Sequence, residues 1–210
     1  DDTHDFIDLK APADPAPQQA ALQALAVRVA FWLPGWRVQG ATLAAPGALE
    51  HALARAAFPP LIYPFFMAEG WFTGRELPRR LAAAGHAGLR QLRPFGVEPA
   101  LPDLVARVAR SGALTAGIAP GGATLLLASH GSKVSRTSAD STYAMVRQME
   151  ARAGFARVLA GFVEEPPFLG DVARGLGPAV CLPFFALRAG HVSGDVPDAL
   201  AGAGFEGPLL

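Results

Sequence analysis

The stretch that decides the fold is Leu125-Leu126-Leu127-Ala128-Ser129-His130-Gly131-Ser132, an apolar run that ends in a histidine and a turn. A short apolar run bounded by turn residues is typical of a fully buried strand in a parallel sheet. Downstream, apolar and small residues recur at helical spacing, namely Ala139, Thr142, Met145, Val146 and Met149. The segment therefore predicts a strand at 124–128 followed by a helix, the start of an α/β unit.

The same alternation continues along the chain. Further strands are predicted at 157–163 and 179–185, with short helices at 167–174 and 197–203, the second of which opens after Asp195 as its cap. Nearer the amino end, a helix with Leu22, Leu25, Val29 and Trp32 on one face precedes strands at 36–43, 60–66 and 89–93. One more helix there carries Leu101, Leu104, Val105 and Val108. The predicted fold class is α/β with parallel sheets.

The chain also matches itself at an offset of 119 residues. Segments 64–88 and 183–207 each begin with Pro-Phe-Phe, and nine of their 25 aligned positions are identical. A looser match sets 43–49 against 163–169. The chain is thus interpreted as an internal duplication. A Gly, Ala and Pro-rich linker at 112–122 places the boundary between the copies, so the predicted units are 1–117 and 118–210.

Composition excludes several classes of protein. Of 210 residues, 51% are hydrophobic and 17% are charged, which is too apolar for disorder. Eighteen Lys and Arg against eighteen Asp and Glu give no charge bias toward nucleic acid or a membrane surface. A single cysteine, Cys181, excludes a disulfide within the chain. No apolar stretch approaches the roughly 18 residues of a membrane span, and the amino end is not a signal peptide, so a cytoplasmic protein is expected.

The informative positions are those at which one copy carries reactive groups and the other does not. His130 follows the first strand of the second copy, whereas the equivalent segment, 8–12, has no histidine. His191 aligns with Phe72, and Glu164 and Glu165 align with Ala44 and Ala45. Since carboxyl ends of parallel strands share one edge of a sheet, these groups are expected to converge. Two imidazoles and a carboxylate suit a divalent first-row metal ion. His4, His51 and His86 are interpreted as non-functional.

These residues resemble the CbiX-type sirohydrochlorin chelatases, the class II enzymes that insert cobalt or iron into a tetrapyrrole. The resemblance rests on a strand that ends in His130-Gly131-Ser132-Lys133, and on Pro183-Phe184-Phe185 followed by Gly190-His191-Val192 and Asp195-Val196-Pro197. It covers 124–210 well and the first half only in outline, so that half is interpreted as a degenerate unit that forms a wall of the cleft.

The resemblance implies two flavodoxin-like units that face each other across a cleft. It implies His130 and His191 as metal ligands and general bases and Glu164 as a third ligand, with Glu165 as the alternative. The divalent metal, Co²⁺ or Fe²⁺, is a substrate, and no organic cofactor is expected. Smaller relatives are homodimers, so the duplication makes a monomer plausible.

The tetrapyrrole partner is a polyanion, for which cationic and hydroxyl donors near the strand ends are candidates: Ser132, Lys133, Arg136, Arg188 and Ser193. An apolar and cationic wall from the other copy is expected from Trp71, Phe72, Arg75 and Lys10. The main alternative is a non-catalytic tetrapyrrole or metal carrier derived from a chelatase. A structural partner whose cleft is closed by Trp71 and Phe72 is a third hypothesis.

Overall fold

The computed structural model describes residues 16–56, 59–132, 137–187 and 192–210. Contacts divide the chain into two compact units, 1–60 and 61–210. This division concerns packing, and the boundary between sequence repeats near residue 118 stays a prediction. No helix in the described ranges is long and apolar enough to cross a membrane.

The smaller unit contains helices α1 (Ala16–Trp32) and α2 (Ala48–Ala54). The helix predicted from Leu22 and Leu25 is confirmed, but its apolar face is not buried along its length, since Trp32 is 77% exposed. The strand predicted at 36–43 is wrong. Glutamine side chains of α1 bind this segment instead: Gly40 N–H donates to Gln23 Oε1 (3.1 Å) and Thr42 N–H donates to Gln19 Oε1 (2.8 Å). These backbone groups are therefore satisfied without a sheet.

The larger unit is a parallel α/β structure. It contains a π-helical turn (Phe72–Glu76), α3 (Leu77–Ala83), α4 (Leu101–Thr115), β1 (Thr124–Ser129) and α5 (Thr137–Arg152). The remaining elements are β2 (Arg157–Phe162), α6 (Leu169–Ala173), β3 (Ala179–Pro183) and α7 (Asp195–Gly202). The strands form a three-stranded parallel sheet of order β2-β1-β3. The predicted strands and helices of the second half are thus confirmed, with Gly194 rather than Asp195 at the cap position of α7.

The sheet is covered by helices on both faces. Leu125 and Leu127 of β1 belong to a buried cluster with α4 and α5, whereas Leu126 and Ala128 pack against α6 and α7. All six residues of β1 are buried, as expected for a central parallel strand with successive side chains on opposite faces.

Helix α4 covers part of the sheet, since it packs against α5 and β3. The buried face of α4 consists of Leu101, Val105, Ala106, Ala109 and Ala113, and the predicted core residues Leu104 and Val108 are exposed. Small side chains on the buried face allow the helix to lie close to its neighbours.

The two aligned segments of the sequence repeat share one local feature of the structure. Helices α3 and α7 align in the repeat, and the residue after the C-cap of each is a glycine of positive φ, Gly85 and Gly204. The amides of this glycine and of the next residue donate the same pair of bonds: Gly85 to Ala82 O and His86 to Leu81 O, matched by Gly204 to Ala201 O and Phe205 to Leu200 O. This is the glycine termination that satisfies the last carbonyls of a helix.

The strands of the first copy, by contrast, are much shorter than predicted. Segments 60–66 and 89–93 meet at a single parallel bridge, Ile62 with Gln91, which matches the bridge of Cys181 with Leu209 in the second copy. Prolines at 59, 60 and 64 lack amide donors, so a long ladder cannot form there.

Candidate metal-binding site

The candidate site lies where the three strands end. The parallel ladder continues beyond β1 and β2, because Val163 N–H donates to Ser129 O (3.0 Å) and Glu164 N–H donates to His130 O (2.9 Å). On the other side, Phe184 N–H donates to Ala128 O (2.6 Å). The backbones of His130 and Glu164, two of the three predicted ligands, are therefore brought together at the carboxyl edge of the sheet.

A turn after β1 sets the orientation of His130. Its Nδ1 lies 2.9 Å from Gly131 O, and only a protonated Nδ1 can donate to a carbonyl. In that tautomer the ring lone pair is on Nε2, the atom that can bind a metal ion. Metal-binding histidines are commonly oriented in this way, by a hydrogen bond from the other ring nitrogen to a carbonyl.

Glu165 contacts the same turn. Its Oε1 accepts a hydrogen bond from Ser132 N–H at 2.7 Å, a short, charge-assisted contact. Gly131 lies beside this carboxylate with φ +72°, and a Cβ there would come 2.8 Å from Glu165 Cγ and 3.0 Å from Phe162 Cβ. The turn thus requires glycine both for its conformation and for the space it leaves.

A buried hydroxyl pair supports the end of β1. Thr142 in α5 and Ser129, the residue before His130, have their hydroxyl oxygens 2.8 Å apart, and Thr142 also donates to Ser138 O. Both side chains are buried. The pair fastens the strand end to α5, and a threonine on the buried face of a predicted helix was the sequence signal for it.

Other predicted site residues are placed as follows. Ser132 is half-buried, and Ser193 is exposed in the turn before α7. The remaining predicted site residues lie outside the described residues: Lys133, Arg136, Arg188 and His191. The same holds for Lys10 of the predicted wall. Within the described ranges no group of three or more His, Cys, Asp or Glu side chains could hold a metal ion. The predicted ligand set, which needs His191, stays a prediction.

Cys181 does not contribute to this chemistry. It lies fully buried in β3, and burial raises the pKa of its thiol to about 12. The thiol is therefore protonated at neutral pH, so it is neither a thiolate ligand nor a nucleophile.

Gly70, which precedes a pair of aromatic residues, lies close to the beginning of α5. A Cβ at Gly70 would be 3.4 Å from Thr137 Cγ2. In the next residues, Trp71 is 50% exposed and packs edge-on against Phe72, which stacks on Phe66 with ring centroids 5.8 Å apart. Phe72 opens the π-helical turn, and π-helical segments occur frequently at functional sites.

Comparisons with known proteins agree with a chelatase-like α/β fold. The CbiX family matches residues 124–207. A solved structure of CbiX, described as the terminal enzyme for biosynthesis of siroheme in denitrifying bacteria, is 48% identical; the match covers 95% of this chain and 86% of that one, with a TM-score of 0.84. Comparison with curated protein sequences gave no match.

Two more distant structures share the fold. DR2241 from Deinococcus radiodurans, a multi-domain protein with structural similarity to chelatases, is 23% identical with a TM-score of 0.62, and the match covers 93% of this chain and 46% of that one. SirB from Bacillus subtilis, solved with Fe³⁺, is 12% identical with a TM-score of 0.65 and coverages of 94% and 82%.

Fold, strand-end histidine and structural neighbours together define a chelatase-type α/β protein. The extent and identity of the match to CbiX make the assignment specific: this chain belongs to the CbiX family.

Proposed function

We propose that this protein is a sirohydrochlorin chelatase that inserts a divalent metal ion, Fe²⁺ or Co²⁺, into the macrocycle. The observation that carries the proposal is the position of His130 at the carboxyl edge of the sheet, with its Nδ1 bonded to Gly131 O, in a chain 48% identical to a CbiX of siroheme biosynthesis. Because siroheme is an iron tetrapyrrole, the relative favours Fe²⁺ as the physiological metal.

The chemistry requires a ligand that releases the metal and a base that removes two pyrrole protons. Neutral imidazole meets both needs, since it binds first-row metals without the excess charge of several carboxylates and its reference pKa of about 6.5 lies near working pH. In the proposal, His130 and His191 hold the metal with Glu164. As the metal moves from the histidines to the four ring nitrogens, the two pyrrole protons that it displaces pass to the vacated histidines and then to water.

The substrate would lie at the strand ends. Its carboxylates would be bound by Ser132, Lys133, Arg136, Arg188 and Ser193, and the macrocycle would lie toward Trp71 and Phe72. The proximity of Gly70 to Thr137 at the start of α5 supports this arrangement, because Thr137 lies seven residues after His130. The two copies would thus face each other across a cleft, with only the second carrying a metal site.

Replacement of His130 by alanine tests the proposal. The apo-protein is mixed with sirohydrochlorin and either Fe²⁺ (anaerobically) or Co²⁺, and metallation is followed by absorbance. His130→Ala and His191→Ala should each lower the rate above background by roughly 10²- to 10⁴-fold, the usual contribution of a general base. His51 is exposed in α2, so His51→Ala is the matched control and should leave the rate unchanged.

Two outcomes would contradict the proposal. A near-normal rate in His130→Ala would remove that residue from the mechanism. Tight sirohydrochlorin binding without any acceleration by the wild-type protein would instead favour the carrier. The ratio of the Fe²⁺ and Co²⁺ rates identifies the preferred metal.

A further inference from the structure

We infer that Glu165 is a positioning residue that holds the His130-Gly131-Ser132 turn, and that it is not a metal ligand. The effect of this residue on metallation rests on the function proposed above. The contact itself does not, because it joins two residues of the chain, the Ser132 amide and the Glu165 carboxylate.

The side chain of Glu165 binds a backbone amide of the turn. One carboxylate oxygen, Oε1, accepts the Ser132 amide at 2.7 Å, and the side chain passes so close to Gly131 that no Cβ fits between them. The carboxylate therefore crosses from the end of β2 to the turn after β1 and fixes the amide at its far end.

The same turn sets the ring of His130. Gly131 O accepts from Nδ1 of His130, and the Ser132 amide that donates to Glu165 belongs to the same peptide unit as that carbonyl. Fixing the amide therefore restrains the carbonyl that selects the tautomer. Glu165 thus acts on His130 through the backbone, as groups behind a metal ligand commonly do.

The two glutamates meet the end of β1 in different ways. Glu164 donates its amide to His130 O and so continues the ladder. Glu165 binds the Ser132 amide through a carboxylate oxygen. We therefore assign Glu165 to the turn and keep Glu164 as the third ligand of the proposed site.

The test compares Glu165→Gln, Glu165→Ala and Glu164→Gln. A glutamine carbonyl can accept the Ser132 amide but is a poor metal ligand. Glu165→Gln should therefore keep the metallation rate within about threefold, whereas Glu165→Ala should lower it by roughly 10- to 100-fold. Glu164→Gln should lose activity without change in the turn. Equal losses in Glu165→Gln and Glu165→Ala would overturn the inference, since the charge and not the acceptor would then be required.

A measurement on the apo-protein separates this inference from the proposed function. Amide hydrogen exchange at Ser132 should accelerate at least tenfold in Glu165→Ala and stay near wild type in Glu165→Gln, with Leu126 in β1 as the reference for global stability. Unchanged Ser132 exchange in Glu165→Ala would show that the bond does not hold the turn. If exchange responds as expected while His130→Ala retains full metallation, the proposed function fails and the anchoring role stands.

Discussion

Gly131 joins the imidazole of His130 to the amide that Glu165 binds. Its φ of +72° is costly for any residue with a Cβ, and the added atom would also meet Glu165 and Phe162. A side chain at this position therefore does two kinds of damage, one to the backbone and one to the packing around the site.

Gly131→Ala should show both effects. We expect a loss of about 1–2 kcal/mol in the free energy of unfolding from the left-handed backbone alone, and a further loss from the contact with Glu165. Gly154→Ala is the matched control, because Gly154 also has positive φ, +68°, but open space at its Cβ position. Urea unfolding and metallation rates check the pair. Equal stability losses with full activity in Gly131→Ala would contradict the close contact.

At the same scale, the sequence predicted the position of His130 but not its setting. A histidine after a short apolar run can be predicted to lie at a strand end, because turn residues mark where the strand stops. The hydrogen bond from Ser132 to Glu165 cannot be predicted from the sequence, because it joins residues 33 positions apart and depends on how two strands align. The choice between Glu164 and Glu165 was open from the sequence for this reason.

At the scale of elements, the second-copy strands were predictable and the first-copy strands were not. Residues 125–128 are apolar without interruption and all six residues of β1 are buried, so pattern and packing agree. Residues 36–43 mix apolar and polar side chains as a half-buried strand would, but Gln19 and Gln23 of α1 bind their backbone. A sequence pattern does not reveal that side chains of a preceding helix will compete with a sheet for these backbone groups.

Helix α4 gives the prediction that belongs to this scale. Ala109 is fully buried in the cluster that covers one face of the sheet, so Ala109→Leu would overpack it. We expect a loss of about 1–3 kcal/mol in the free energy of unfolding. Ala82→Leu on the exposed side of α3 controls for the residue change and should alter stability by less than about 0.5 kcal/mol. Denaturant unfolding of both variants is the measurement, and a neutral Ala109→Leu would show that α4 does not pack tightly on the sheet.

At the scale of the whole molecule, the two repeats of the sequence contribute different parts of the structure. Both copies keep the helix that ends at Gly85 or Gly204 and the single bridge beside it. The second copy retains a full sheet with His130 at its edge. The first copy has Phe72 where the second has His191. The first copy also contains α4, which packs against α5 and β3 of the second copy in the same chain. The two halves therefore depend on each other within one chain.

That dependence predicts a protein that works as a single chain. A second molecule is not needed to cover the sheet, because α4 packs against α5 and β3 of its own chain. We expect light scattering to give the mass of one chain, 21.8 kDa, and the metallation rate per chain to stay constant as protein concentration is varied a hundredfold. A mass of two chains, together with a rate per chain that falls on dilution, would show that a neighbouring molecule completes the site. In that case mixing His130→Ala with a substrate-wall variant, Trp71→Ala, would restore activity, whereas a single-chain site predicts no such complementation.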